Sequence, residues 1–183
     1  MVNDIKVLNH AADNIRILAA AAVEKAKSGH PGGAMGGADF INVLYSEYLQ
    51  YDPKNPEWVG RDRFFLDPGH MAPMLYSQLC LAGKFSLDEL ALLRQWGSPT
   101  TGHPEFEIAR GIENTSGPLG QGHVFAIGAA IAAKFLAAHT GNPTTISAVS
   151  GVFFPFFEDV FEDETATAEL LSAIFIPNSA SLI

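Results

Sequence analysis

Cysteine is almost absent from the chain. The 183 residues contain one cysteine, Cys80, so no disulfide can form within the chain. A chain that lacks disulfides is typical of a reducing compartment, and the cytoplasm is the expected location. Cys80 lies in the apolar run LYSQLCLAG, which favours a buried structural thiol over a nucleophile.

Basic side chains are also scarce. Lysine and arginine number 11 against 20 aspartates and glutamates, giving a formal net charge of −9, and neither basic residue occurs after Lys134. A nucleic-acid-binding protein needs a basic face that displaces counterions, so this class of partner is excluded.

Targeting and membrane signals are missing from the sequence. Asp4, Asp13 and Arg16 interrupt the region where a signal peptide needs an apolar core. No continuous apolar run reaches the length of a membrane span, so no membrane partner is expected.

What the chain does contain is enough apolar sequence for one folded domain. Hydrophobic residues make up 48% of it, without low-complexity tracts or internal repeats. Periodicity and capping signals predict helices and strands that alternate, which is typical of an α/β domain with a parallel sheet flanked by helices. The predicted helices cover 3–27, 38–49, 71–81 and 121–138, and a further one over SLDELALLRQW opens with a capping box of Ser86 and Glu89. The predicted strands are 63–67 and 144–150, and 31–37 is a predicted glycine-rich turn.

Four histidines lie in glycine- or proline-rich turns: His30 (SGHPGG), His70 (DPGH), His103 (TGHPE) and His123 (GQGH). Small neighbours let a ligand approach the backbone, and imidazole suits hydroxyl groups and proton transfer near neutral pH. The pattern favours a clustered site over separate structural histidines. No pair has the HxxxH or HxH spacing of a metal site. His10 and His139 are on helical stretches and receive no role.

The segment TSGPLGQGH (115–123) stands directly before a predicted helix. Glycines there can turn N–H groups toward an anion, and the helix N-terminus adds positive potential. The segment lacks the GK[ST] of a P-loop and the GxGxxG of a dinucleotide site. The alternative is that these glycines only let the loop pass close beneath a sheet.

Together, the segments SGHPGGAMGGADF, RDRFFLDPGHMAPMLYS, LLRQWGSPTTGHPE and GIENTSGPLGQGHVFAIGAAIAAKFL resemble, in order and spacing, the N-terminal part of the transketolases. The resemblance covers about residues 3–140 and implies the diphosphate-binding domain of a thiamin-diphosphate enzyme. Such an enzyme transfers a two-carbon ketol unit between sugar phosphates, with the cofactor holding the electrons of carbon–carbon cleavage.

The resemblance also implies roles for individual residues. His30 and His103 would be catalytic, binding the hydroxyl groups of the donor sugar and the developing oxyanion. His70 would lie near the cofactor diphosphate, and Gly117, Pro118 and Leu119 would contact the cofactor. His123 matches no family role. Many transketolases have SNGH where this chain has DPGH, but the glycine and His70 are kept.

The resemblance ends at Asn142, which divides a transketolase-like region (1–142) from a divergent acidic tail (143–183) that completes or extends the same domain. The family has a Gly-Asp-Gly motif and a later asparagine that hold magnesium, a cation that prefers oxygen ligands. No carboxylate occurs between Glu113 and Glu158, so no magnesium ligands are found. The pyrimidine-binding domain and its activating glutamate are also missing, so the sheet is expected to be incomplete.

Three interpretations stay open. The first is an N-terminal transketolase fragment, inactive alone and dependent on self-association or on a complementing chain that carries the pyrimidine-binding domain. The second is a non-enzymatic interaction subunit that keeps the fold. The third is the front half of a deoxyxylulose-phosphate-synthase-type enzyme. The tail is interpreted as a changed reading frame or a fusion.

Overall fold

The computed structural model describes residues 3–140, and helices dominate this range. Its α-helices are α1 (Ile5–Ala26), α2 (Pro31–Gly36), α3 (Ala38–Val43), α4 (Ala72–Leu81), α5 (Leu87–Leu90) and α6 (Gln121–Thr140). A π-helical turn (Leu44–Tyr48) continues α3, and 3-10 turns occupy Gly69–Met71 and Ile108–Arg110.

Helix α1 confirms the helix predicted over residues 3–27. The Asp4 side chain accepts a hydrogen bond from the Lys6 N–H and caps the first turn, and Lys27 ends the helix in the left-handed conformation. Its buried residues recur at intervals of three and four, as an amphipathic helix requires. They are Ala12, Ile15, Ala19 and Ala22. This face packs against α2, α3 and α4.

The prediction of a glycine-rich turn over residues 31–37 is wrong, because Pro31–Gly36 forms a short helix. Pro31 occupies the first turn, where its fixed φ suits a helix and its missing N–H costs nothing. Of its glycines, Gly33 allows close packing, since an added methyl group there would come within 3.1 Å of the Met71 side chain, whereas Gly32 and Gly36 have nothing within 4 Å. The helix predicted over 38–49 is present but is divided into α3 and the π-helical turn.

The predicted strand at residues 63–67 does not form a regular strand. Within residues 3–140 the structure has no strand, and the only β-pairing is an isolated bridge between Glu107 and Ile112. Leu66 instead pairs with the side chain of Asn114, to which its N–H donates at 3.1 Å. A strand requires a neighbouring strand, and the second predicted one (144–150) lies outside the described residues. The α/β class and the parallel sheet therefore stay predictions.

Helix α4 confirms the prediction for residues 71–81, and the predicted capping box of Ser86 and Glu89 is present at the start of α5. That second helix is shorter than predicted, because the chain enters a series of turns after Leu90. Helix α4 is the centre of the main core. Its buried side chains include Met74, Leu75, Tyr76 and Leu79.

Cys80 lies on α4 and is half-buried. Burial, together with the charge of Glu89, raises the pKa of its thiol to about 11. The thiol is therefore protonated at neutral pH, which agrees with a structural cysteine.

Helix α6 confirms the helix predicted over residues 121–138 and continues to Thr140. Much of its apolar surface is exposed. The exposed large side chains are Val124, Phe125, Ile127, Ile131, Phe135 and Leu136. By length and composition alone this helix could cross a membrane, with Lys134 as its charged residue. A helix that packs on a sheet inside an α/β domain has the same composition, so this criterion does not identify a membrane protein.

Candidate functional site

Three histidine-bearing turns meet beside the N-termini of α2 and α4. His30 directly precedes α2 in an extended conformation, and His70 lies in the 3-10 turn that leads into α4. Their ring centroids are 4.7 Å apart. The loop that follows α5 brings His103 to the same group, near enough for its charge to affect His70.

The histidines influence one another's protonation. Partial burial lowers the pKa of His70 below its usual value, and the neighbouring His30 and His103 lower it further, while Asp67 opposes them. Partial burial also lowers the pKa of His103, with additional lowering from Arg94 and His30. His70 and His103 are therefore favoured as neutral imidazoles, which can both donate and accept hydrogen bonds. The predicted convergence of the three imidazoles is confirmed, whereas their roles stay predictions.

The turn that carries His70 packs directly against the TSGPLGQG segment. A methyl group placed on Gly69 would stand 2.7 Å from the backbone oxygen of Ser116 and 3.1 Å from the Gly117 nitrogen. Only a residue without a side chain permits this approach. Two parts of the predicted cofactor site, at His70 and at Gly117, are thus in contact. The predicted contact residues Pro118 and Leu119 follow, and both are exposed.

Ser116, at the contact between these two turns, has a buried polar atom. Its side chain is 2% exposed, and its Oγ has no hydrogen-bond partner among the residues that the structure describes. Buried hydroxyl groups ordinarily find a partner, so an unpaired one beside the predicted cofactor segment is compatible with a polar ligand.

The glycines of TSGPLGQGH predict an anion site at the N-terminus of α6, but a side chain of the protein itself lies there. The Asp67 carboxylate accepts hydrogen bonds from the backbone N–H groups of Gly120 (3.2 Å) and His123 (3.4 Å). The chain's own carboxylate thus occupies part of the positive end of this helix. The close approach depends on Gly122, where an added methyl group would stand 2.3 Å from the Leu66 backbone oxygen.

Two side chains that organise this region, Asp67 and Arg94, are not predicted as site residues from the sequence. Both act on residues far away in sequence: Arg94 donates to Ser28 across 66 positions, and Asp67 accepts from Gly120 across 53. The available signal for Asp67 was an acidic residue beside a Pro-Gly turn. His10 and His139 lie on exposed positions of α1 and α6.

Metal ligands are not assembled in the described part of the chain. Residues 3–140 contain no group of three or more histidine, cysteine or carboxylate side chains that could hold a metal ion. The described residues therefore supply no such group of ligands for a magnesium ion.

Comparison with known proteins agrees with this geometry. The family model "Transketolase, thiamine diphosphate binding domain" matches residues 7–174, and so extends beyond Asn142. The chloroplastic transketolase-1 of Arabidopsis thaliana is 51% identical over 142 residues, which are 76% of this chain and 19% of that protein.

Two solved structures have the same fold over most of this chain. Transketolase from Campylobacter jejuni is 40% identical with a TM-score of 0.75, and the match covers 82% of this chain and 23% of that one. Transketolase from Pichia stipitis in complex with sedoheptulose-7-phosphate is 36% identical with a TM-score of 0.73, over 81% of this chain and 22% of the other.

The family model that matches residues 7–174 is that of a thiamin-diphosphate-binding domain, and this is the class of the chain. The family match and the level of identity narrow the class further: the chain belongs to the transketolase family. It spans about a fifth of the length of the relatives that it matches.

Proposed function

We propose that this chain supplies the diphosphate-binding part of a transketolase, whose reaction transfers a two-carbon ketol unit between sugar phosphates. The observation that carries the proposal is the contact between the His70 turn and the Ser116–Gly117 turn. The ring centroids of His30 and His70 lie 4.7 Å apart beside this contact. The family assignment supports a transketolase over an enzyme of the deoxyxylulose-phosphate-synthase type. The Pichia stipitis relative was solved with a sugar phosphate, which supports that substrate class.

The residues fit thiamin diphosphate at the contact between these two turns. Its diphosphate would be held near His70, with Gly117, Pro118 and Leu119 contacting the cofactor. The buried hydroxyl of Ser116 offers a further hydrogen bond. When bound, the cofactor supplies an electron sink for carbon–carbon cleavage beside a carbonyl.

The chain's own side chains act on the sugar. His30 and His103 would donate hydrogen bonds to the hydroxyl groups of the donor and stabilise negative charge on its oxygen. A lowered pKa favours the neutral form of His103, which can also accept a proton. Magnesium belongs to the family chemistry, but the described residues do not fit it, and no step is assigned to it.

The proposal includes dependence on more protein than this chain. Neither the activating glutamate of the family nor a set of magnesium ligands was found in the sequence, so we expect no turnover by the 183-residue chain alone. Self-association or a complementing chain with the pyrimidine-binding domain would be required. A cytoplasmic location is part of the proposal, although the Arabidopsis thaliana relative is chloroplastic by name.

A chimera provides the sharpest test. Residues 3–140 would replace the matched segment of the Campylobacter jejuni transketolase, and ketol transfer would be followed in a coupled assay with thiamin diphosphate and magnesium. We expect an active chimera that loses at least about a hundredfold in kcat/KM on His30→Ala or His103→Ala. His10→Ala, an exposed histidine on α1, is the matched control and should keep full activity. A folded but inactive chimera would refute the proposal.

The chain alone gives the second arm of the test. We expect no turnover and no magnesium-dependent thermal shift with thiamin diphosphate. The chain supplies no magnesium ligands to clamp the diphosphate, and stabilisation requires binding to the native state. Clear activity of the pure chain would overturn its proposed dependence on a partner.

A non-enzymatic assembly role is the second candidate, and the exposed apolar face of α6 favours it. It predicts that the chain associates with itself or a partner without any effect of the His30 and His103 substitutions. An active chimera would exclude it as the sole function of this region.

A further inference from the structure

Arg94 lies between two of the three histidine-bearing turns. Its guanidinium Nη1 donates to the Ser28 hydroxyl at 2.9 Å, and Ser28 stands two residues before His30. The same side chain lies over Gly102, where an added methyl group would come within 2.9 Å of the Arg94 Nε. Gly102 directly precedes His103, so one side chain contacts both turns.

The backbone of Arg94 is in an uncommon conformation. Its φ of +61° lies in the left-handed region, which among the described non-glycine residues is shared with Lys27 alone. Lys27 ends α1, where such a conformation is usual. Arg94 follows α5 after a series of turns, and its N–H donates to the Thr100 backbone oxygen at 2.9 Å.

Glycine or asparagine would adopt the same backbone at lower cost. An arginine persists there only if its side chain is needed, since conformations of this kind are retained where the surroundings or the function require them. The contact with Ser28 and the approach to Gly102 supply that requirement.

We propose that Arg94 is a positioning residue of this site: it links the Ser28–His30 turn to the Gly102–His103 turn and thereby fixes how His30 and His103 stand relative to each other. The roles of the two histidines rest on the proposed function, whereas the link itself rests on the contacts above. Arg94 also places a positive charge beside His103, and this charge contributes to lowering the pKa of that imidazole. The other groups around His103 are His30, His70 and, two residues along its own loop, Glu105.

The test uses the full 183-residue chain and NMR. Arg94→Asn keeps a residue that tolerates the left-handed backbone but removes the guanidinium. We expect an unchanged or higher melting temperature, because the backbone strain is relieved. Amide order parameters in residues 28–30 and 101–103 should fall from about 0.85 toward 0.6 or below. The pKa of His103 should rise, because a cation that disfavours imidazolium has been removed.

Two further variants separate the link from the charge. Ser28→Ala removes the hydrogen bond and keeps the charge, so residues 28–30 should become mobile while the pKa of His103 stays low. Arg94→Lys keeps the charge and should retain the low pKa of His103. Amides of α4 are the internal control and should keep their order parameters in every variant.

Two outcomes would overturn the inference. Unchanged order parameters in both turns of Arg94→Asn would show that Arg94 serves only its own turn. A general loss of order that includes α4, with a lower melting temperature, would show an unspecific stabilising role. Neither outcome depends on activity, so a failure of this inference is distinguishable from an inactive chimera, which would refute the proposed function.

Discussion

Arg61 and Glu113 form a two-point ion pair across 52 positions of sequence, with Nε to Oε1 at 2.7 Å and Nη2 to Oε2 at 3.0 Å. Both side chains are only 8% exposed. The pair joins the segment that leads to the His70 turn with the segment that leads to Ser116 and Gly117. The Arg61–Glu113 pair therefore also holds the His70 turn and the Ser116–Gly117 turn together, from a position outside the proposed cofactor site.

Removing one member of this pair should be costly. Arg61→Met leaves the Glu113 carboxylate buried without its partner, and we expect a loss of about 3–5 kcal/mol in the free energy of unfolding. The double variant Arg61→Met with Glu113→Leu should recover much of that loss. Glu24→Gln, which breaks the exposed pair with Lys27, is the control and should change stability by less than about 1 kcal/mol. Urea denaturation would measure all three, and equal effects at the two pairs would contradict the prediction.

Alanine substitutions at Gly122 and Gly128, both in α6, should have opposite effects on the free energy of unfolding. A methyl group at Gly122 meets the Leu66 backbone oxygen at 2.3 Å, whereas one at Gly128 has nothing within 4 Å. Gly122→Ala should lower the free energy of unfolding by about 1–3 kcal/mol or more, because backbone must move. Gly128→Ala should raise it by roughly 0.5–1 kcal/mol, since alanine favours a helix interior. Thermal unfolding of both variants would test this, and a tolerated Gly122→Ala would mean that α6 does not sit on Leu66.

Asp67 should act on both helix α6 and His70. Asp67→Ala removes the acceptor for the Gly120 and His123 N–H groups, and we expect a loss of about 0.5–2 kcal/mol in stability. It should also lower the pKa of His70 further, because the carboxylate opposes the other shifts. Asp4→Ala, which removes the cap of α1, should cost similar stability without changing that pKa. NMR titration of His70 would decide, and an unchanged pKa in Asp67→Ala would contradict the assignment.

Stability should fall as the solution is acidified through the histidine range. His70 and His103 have pKa values below their usual 6.5 in the folded chain, so between those values and 6.5 the unfolded chain binds more protons. Their contribution is fully present above about pH 6.5 and is lost as the pH falls through 6.5 toward the folded pKa values. The effect should be small, because both rings remain partly exposed.

The double variant His70→Gln with His103→Gln tests this pH dependence. It should flatten the stability profile between about pH 7 and pH 5. His10→Gln should leave the profile as it is in the unsubstituted chain, and an unchanged profile in the double variant would refute the assignment.

Local sequence signals predicted the elements whose causes are local. The periodicity of α1 and the capping box at Ser86 and Glu89 specify helices within a few residues, and both are present. The helix at Pro31–Gly36 differs from the predicted turn because its glycines are poor helix formers, and of these only Gly33 packs closely, against Met71. The predicted strand at 63–67 depends on a pairing partner, which local sequence cannot supply.

The candidate site shows the same difference between local and long-range causes. The glycine- and proline-rich turns around His30, His70 and His103 favour a clustered site, and the family resemblance supplies their roles. Spacing alone predicts no contact between histidines up to 73 positions apart. The contacts of Asp67 with Gly120 and of Arg94 with Ser28 join distant segments and leave no periodic signal. Only the folded chain shows them.

The pairing of Leu66 with Asn114 has a consequence for how a sheet can grow here. The Asn114 side-chain amide accepts from the Leu66 N–H at 3.1 Å and donates to its carbonyl at 3.5 Å, and so imitates the peptide group of a neighbouring strand. One edge of the 63–67 segment is thereby already occupied. Any additional strand must therefore pair along the opposite edge. In this way the Asn114 side chain limits the strand order before any β-ladder forms.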